Sequence, residues 1–281
     1  MKSAILAVCL AAALAGAELK IDHVTVAGMH LDEMRQALTA ATGMPTEYGG
    51  PHSNHATEMA LVSFPDGSYL ELMGIQAKAE PAAVAKHEWH TCLVEKPGPC
   101  AFALRVNDMV REVGELKSAG IEMGEPVTAG RTRPDGRKLA WQTVNIGSGV
   151  RGQFFPFLIS DQTPRELRSY PSGKPTTDGF RGVAQVVIGV HDLDAAIEQY
   201  RKAFRLSEPM RQRDKKFGAM AWFRGTLIVL AKATDNEPEG PVAFLLANGK
   251  AGMSGSGSNW FGHSVMWMDE SKLGWRLGIL I

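Results

Sequence analysis

The chain of 281 residues carries no excess charge of either sign: thirty Lys and Arg balance thirty Asp and Glu. No overall field therefore favours nucleic acid, an anionic membrane or a polyanionic substrate. Past the N-terminus, no stretch is apolar enough to be transmembrane. Several catalytic signatures are also missing. AGMSGSGSN (251–259) lacks the Lys-Ser/Thr of a phosphate-binding loop. No G-x-S-x-G stands between a strand and a helix, as a serine-hydrolase elbow would require. HEWH (87–90) is one residue short of the helical zinc motif HExxH, so His87 and His90 read as loop residues. Nothing resembles a zinc finger, and no basic stripe supports nucleic-acid binding.

What is present is an ordinary globular composition, 44% hydrophobic and 21% charged. Lys2, the apolar run Ala4–Ala15 and the small residues Ala15-Gly16-Ala17 form a secretory signal, with cleavage expected before Glu18. The mature chain is then expected to be exported, to the periplasm or the medium, with no membrane attachment. Cys92 and Cys100 remain after cleavage. They either close the loop LVEKPGP as a disulfide in an oxidising compartment or stay as two unrelated thiols.

A pattern recurs along the chain. KIDHVTVAG (20–28) reads as a strand and LDEMRQALTAAT (31–42) as a helix ending in Gly43. EMALVSF and SYLELM then read as strands around the turn Pro65-Asp66-Gly67. A second unit opens on CAFALRV at Cys100 and a third on VAQVVIGV at Val183. Asp32 follows His23 by nine residues, as Asp194 follows Gln185, and each aspartate opens a helix. Similar spacing puts Ala101 at that place in the second unit. The expected fold is α+β: repeated βαβββ modules forming cupped mixed sheets flanked by helices. The expected division is a signal peptide at 1–17, a two-module domain at 18–165, a linker at 166–181 and a second domain at 182–281. The last module is expected to be incomplete.

IDHVTVAGMHLDEM, TEMALVSFPDGSYLELMGI, and GRTRPDGRKLAWQ with FFPFL resemble glyoxalase-like domains of the vicinal oxygen chelate superfamily. The resemblance covers residues 20–161 and, more weakly, 182–233. It implies a divalent metal (Fe, Mn, Zn or Ni) in the concave face, held from the first and last strands of modules. His23 holds the first-strand position and Glu71 the last-strand position of module one. Gln185 holds the first-strand position of module three, while Val229 stands where a carboxylate would be. Ala101 cannot ligate, and FFPFLIS has no carboxylate at the matching place.

On a strand, Tyr69, Glu71 and Met73 share one face, so Glu71 is either a solvent-facing carboxylate or one inside the cup. His52, His55 and Glu58 lie in GGPHSNHATEMAL, and any could serve as a general base; Glu58 and His55 are taken as the catalytic pair. Arg131 and Arg133, with Trp141, could clamp a substrate carboxylate at a turn. The expected function is a metal-dependent lyase, isomerase or ring-cleaving dioxygenase acting on a small oxygenated molecule. The alternative is a non-catalytic protein of the same fold that sequesters a small molecule, using apolar positions such as Trp141, Phe155 and Trp222. A homodimer is compatible with either.

Overall fold

The computed structural model describes residues 19–133, 135–248 and 257–281. The segment read as a signal peptide lies outside the described residues. Module one runs β1 (Ile21–Ala27), α1 (Leu31–Thr42), β2 (Glu47–Pro51), β3 (Thr57–Ser63) and β4 (Tyr69–Ile75). A short helix α2 (Pro81–Ala85) and one turn of π-helix (Thr91–Glu95) lead into module two. That module is β5 (Gly98–Arg105), α3 (Met109–Ser118), β6 (Val127–Thr132), β7 (Lys138–Val144) and β8 (Phe157–Asp161). Helix α4 (Arg165–Ser169) follows. Module three is β9 (Phe180–Val190), α5 (Leu193–Phe204), β10 (Met210–Asp214), β11 (Gly218–Trp222) and β12 (Ile228–Lys232).

The C-terminal part supplies four strands: β13 (Gly240–Asn248), β14 (Ser258–Trp260), β15 (His263–Trp267) and, after α6 (Glu270–Leu273), β16 (Leu277–Leu280). The expected incomplete module thus provides a full strand set.

Two cupped eight-stranded sheets result, in the orders β2-β3-β4-β1-β5-β8-β7-β6 and β10-β11-β12-β9-β13-β16-β15-β14. In each, two modules meet through antiparallel first strands, and each first strand pairs in parallel with the last strand of its own module. This mixed pairing of repeated βαβββ units is the expected fold.

Strand alternation sorts the side chains. Val24, Val26, Leu70, Leu72, Ala60, Val62 and Leu158 enter the apolar core beneath the helices. His23, Tyr69, Glu71, Met73, Met59, Leu61, Phe157 and Ile159 face the hollow of the first sheet. Helix α1 buries Leu31, Met34 and Leu38 at helical spacing, and Gly43 ends it in the left-handed conformation, φ 72°. Helix α1 lies so close to β4 that a Cβ at Gly74 would meet Leu31 N at 2.7 Å. Helix α5 is capped by Asp192, which accepts from Ala195 N at 3.0 Å, and buries Ile197, Tyr200 and Phe204. One contiguous cluster joins these helical layers across both sheets.

The hollow of the second sheet is filled. Phe217, Met220, Trp222, Val229, Leu245, Trp260 and Phe261 form a closed cluster there. Gln185, the expected third metal ligand, sits among them, and its Oε1 accepts from Trp260 Nε1 at 2.6 Å. That places it on the other sheet from His23 and Glu71, with its oxygen already engaged.

The segment expected to be a linker is packed onto the first sheet. Ser63 Oγ donates to Ser169 O at 2.5 Å, and Ser63 N donates to Thr176 Oγ1 at 3.1 Å. No helix among the described residues is long and apolar enough to cross a membrane.

Candidate active site

A cavity of about 220 Å³ opens in the hollow of the first sheet. Its floor is the pair of central strands. His23, on β1, and Glu71, on the parallel neighbour β4, stand with His23 Nε2 3.8 Å from Glu71 Oε2. From the β2–β3 turn, His52 places Nε2 3.6 Å from Glu71 Oε1.

Each group is oriented from behind. The β1–β5 ladder slips between Ile21 and His23, leaving Asp22 without a partner in it. Such a bulge re-aims a side chain, and here the Asp22 carboxylate lies 2.6 Å from His23 Nδ1. His23 also stacks on Tyr69, with ring centroids 4.8 Å apart. Thr25 Oγ1 donates to Glu71 Oε2 at 2.9 Å. Burial alone would push the Glu71 carboxyl up, but the His52 imidazole, the charge of His23 and the Thr25 hydroxyl outweigh it and hold it at about 2.

Beneath His23 lies a buried ionic lattice. Arg168, from the expected linker, donates from Nη2 to Asp22 Oδ2 at 2.8 Å and to Asp161 Oδ2 at 2.8 Å. Its Nη1 donates to Tyr69 Oη at 2.7 Å. Arg165 also pairs with Asp22. Burial disfavours charge on Asp22, yet Arg168, His23 and Arg165 keep its carboxyl well below the usual range.

The walls are aromatic and cationic. Arg151 lies over the rings of Trp89 and Phe157, 5.2 Å from each centroid. Trp89 Nε1 donates to Arg151 O at 2.9 Å. Trp141 and Arg131 line the far side. His87 is lowered to about 4, chiefly by burial and also by the nearby His52 and Arg151. Its Nδ1 accepts from Trp89 N at 3.1 Å. Cys92 and Cys100 are bonded to each other, tying the segment that carries His87 and Trp89 to β5.

Of the expected site residues, His23, Glu71, Arg131 and Trp141 meet in this cavity. Glu58 and His55 do not. Glu58 alternates with Met59 on β3 and so faces away, accepting from Tyr48 Oη at 2.7 Å. His55 occupies the turn with φ 57°, its side chain 71% exposed and 3.8 Å from Glu80. Arg133 points to α4, donating to Leu167 O at 2.6 Å and to Pro171 O. Arg131 reaches the cavity, but Nη1 is committed to Gly49 O at 2.8 Å and Nε is buried without a partner. Arg168, Arg151 and Asp22 were not singled out from the sequence. Arg168 hides in a stretch whose Pro, Gly and Ser content signals only a loop.

The donor types suit a divalent ion: an imidazole with one nitrogen engaged, and a carboxylate kept anionic. As they stand, no three His, Cys, Asp or Glu side chains among the described residues are drawn around a common point to hold one.

A family profile described as a glyoxalase-like domain matches residues 21–204. No curated protein matches the sequence significantly. Among solved structures, a hypothetical protein from Staphylococcus aureus is similar over 93% of this chain and 98% of its own, with TM-score 0.65 and 15% identity. A Mn(II)-bound glyoxalase from Novosphingobium aromaticivorans is similar over 94% and 82%, with TM-score 0.55 and 8% identity. The 2,3-dioxygenase LapB from Pseudomonas sp. KL28 is similar over 93% and 91%, with TM-score 0.56 and 10% identity. At such identities the likeness is one of fold.

Proposed function

This chain belongs to the glyoxalase-like domain family of the vicinal oxygen chelate superfamily, and we propose that its first cup is the active site of a metal-dependent enzyme acting on a small oxygenated anion. The observation that carries this reading is the His23–Glu71 pair, facing each other at 3.8 Å across adjacent strands inside a cavity. His23 Nε2 and the Glu71 carboxylate would hold a divalent ion (Fe, Mn, Zn or Ni). Such an ion would supply Lewis acidity to adjacent substrate oxygens, which suits lyase, isomerase or ring-opening dioxygenase chemistry.

The chain's own residues orient and select. Asp22 fixes the ring of His23, and Thr25 fixes the carboxylate of Glu71. Arg151, held over Trp89 and Phe157 and paired through Nη2 with Glu88, adds positive charge to the wall against which a substrate carboxylate would lie. Trp89 and Trp141 supply flat walls for a planar molecule. Because His87 Nδ1 accepts from a backbone N–H, the neutral ring carries its proton on Nε2, which can donate a hydrogen bond to a substrate oxygen.

The test is the metal content of the chain from Glu18 onward, beside a His23→Ala, Glu71→Ala double variant. Near-stoichiometric metal, lost in the double variant, is expected. No metal in either protein after incubation with Mn, Fe, Zn and Ni would sink the reading.

A non-catalytic binding protein is the second reading. It is favoured by module two, whose Ala101 and Phe157 bring no ligand to the cup. A small-molecule complex that survives chelation would establish it. We further propose that the protein works in an oxidising compartment after export. The Cys92–Cys100 bond supports this, since such bonds rarely persist in reducing cytosol.

A further inference from the structure

We propose that His52, from the β2–β3 turn, is the third protein ligand of the metal, replacing a ligand that module two does not provide; this rests on the metal-site reading above. The strands themselves leave a vacancy. In the β1–β5 ladder His23 pairs with Ala103 and Thr25 with Ala101, so alanines stand beside the histidine. The parallel register Thr25 with Glu71 is repeated by Ala103 with Phe157, so an apolar ring occupies the place of a second carboxylate. Three protein ligands are usual for a catalytic ion. The third has to come from outside the central strands.

Distances single out His52. Its Nε2 is 3.6 Å from Glu71 Oε1, while His23 Nε2 is 3.8 Å from Oε2, so each imidazole faces its own oxygen. These gaps exceed a direct hydrogen bond, about 2.7–3.2 Å. They are also shorter than the roughly 4.5 Å that two successive hydrogen bonds through a water would span. An ion with ligands at about 2.0–2.2 Å keeps neighbouring donors about 3–4 Å apart. Both gaps fall in that interval. The two imidazoles each stand within 3.8 Å of a Glu71 oxygen, although no three such donors among the described residues yet surround a common point.

The turn is built to present that nitrogen. His52 Nδ1 lies 2.8 Å from the hydroxyl of buried Thr57, whose oxygen accepts from Asn54 Nδ2 at 3.0 Å and lies 3.4 Å from Asn54 Oδ1. Thr57 Oγ1 has two lone pairs, one for the Asn54 amide and one for His52 Nδ1–H, and in that arrangement Nε2 keeps its own lone pair for the cup. His23 uses the same device through Asp22. Asn54 Oδ1 also accepts from Ala56 N and Thr57 N, at 2.9 and 3.1 Å, and His52 N donates to Thr57 O at 2.8 Å. These bonds hold the turn against β3.

The experiment uses the chelator-stripped chain from Glu18, titrated with Co(II) alone and followed by its visible absorption and by calorimetry. Variants are His52→Ala, His52→Gln and Thr57→Val, with near-ultraviolet circular dichroism confirming the native fold. The expected result is one Co(II) bound by the unaltered chain. His52→Ala and His52→Gln should weaken binding about 100-fold or more and change the absorption band. Thr57→Val, acting through the imidazole, should weaken it about 10-fold. Unaltered affinity and spectrum in folded His52→Ala would overturn the proposal while leaving the metal site standing. No binding by the unaltered chain would overturn both.

Discussion

Arg131 on β6 donates from Nη1 to the carbonyl of Gly49 on β2, at 2.8 Å. These strands are the two outermost of the first sheet, so one side chain joins its free edges and turns an open cup into a nearly closed ring. The second sheet uses the same device. Gln212 on β10 bonds Asn259 O and Phe261 N, at 2.8 and 2.6 Å, beside β14 at the opposite edge. In both, a polar side chain satisfies edge backbone groups that would otherwise be open to pairing.

Arg131→Met should therefore act on shape before chemistry. Losing a charged donor to a buried carbonyl costs about 1–3 kcal/mol. Denaturant midpoints should fall accordingly. Small-molecule affinity should drop while Co(II) affinity should not fall, because Arg131 reaches Glu71 only through its charge, and removing a cation beside that carboxylate does not weaken its hold on another. Equal loss of metal affinity would show that the ring and the ion site are one unit.

Asp22→Asn should be among the most damaging polar changes. Asp22 is fully buried and answers Arg168 and Arg165. Removing one partner of a buried pair leaves the other uncompensated, about 3–5 kcal/mol. Adding Arg168→Met should recover part of that loss, since the stranded charge goes too. Urea unfolding of the two single variants and the double provides the cycle. Additive losses would contradict the coupling.

His87 predicts a window of pH sensitivity. Its folded value, about 4, lies below the ordinary 6.5. The unfolded chain therefore binds the extra proton first, and stability rises with pH between about 4 and 6.5. The contribution is full above 6.5 and is lost as pH falls through 4. Replacing His87 with Gln should flatten the melting temperature across that interval relative to the unaltered chain. An unchanged slope would remove His87 as its source.

Reducing the Cys92–Cys100 bond should loosen the wall that carries His87 and Trp89. For a closed loop of this size the expected loss is about 2–3 kcal/mol. Cys92→Ser with Cys100→Ser should lower the melting temperature. Hydrogen exchange should rise in residues 86–97 and leave β9–β12 unaffected. Protection unchanged around Trp89 would mean that its bond to Arg151 O suffices alone.

Residues that obey a period were legible from the sequence, and residues that answer distant partners were not. The alternation of YLELM placed Tyr69, Glu71 and Met73 together, and the structure puts all three in the cavity. Helix α1 came out at the bounds its apolar spacing predicts. Strands β2 and β10 escaped notice because EYGGP and MRQRD are short edge strands with little to bury. Glu58 misled because a polar residue beside a candidate loop says nothing about which face it takes. Arg168 was hidden for the opposite reason. Its partners Asp22, Asp161 and Tyr69 lie up to 146 residues away, and no local pattern marks such a meeting.

The filled hollow of the second sheet means that the two halves will record mutation differently. A conservative apolar exchange at Trp222 or Leu245 alters packing and registers in melting behaviour. An exchange of similar size at Trp141 alters the outline offered to a ligand and registers in turnover or affinity. A saturation scan scored separately for abundance and for activity should split along the boundary between the sheets, with one half reading out as foundation and the other as tool.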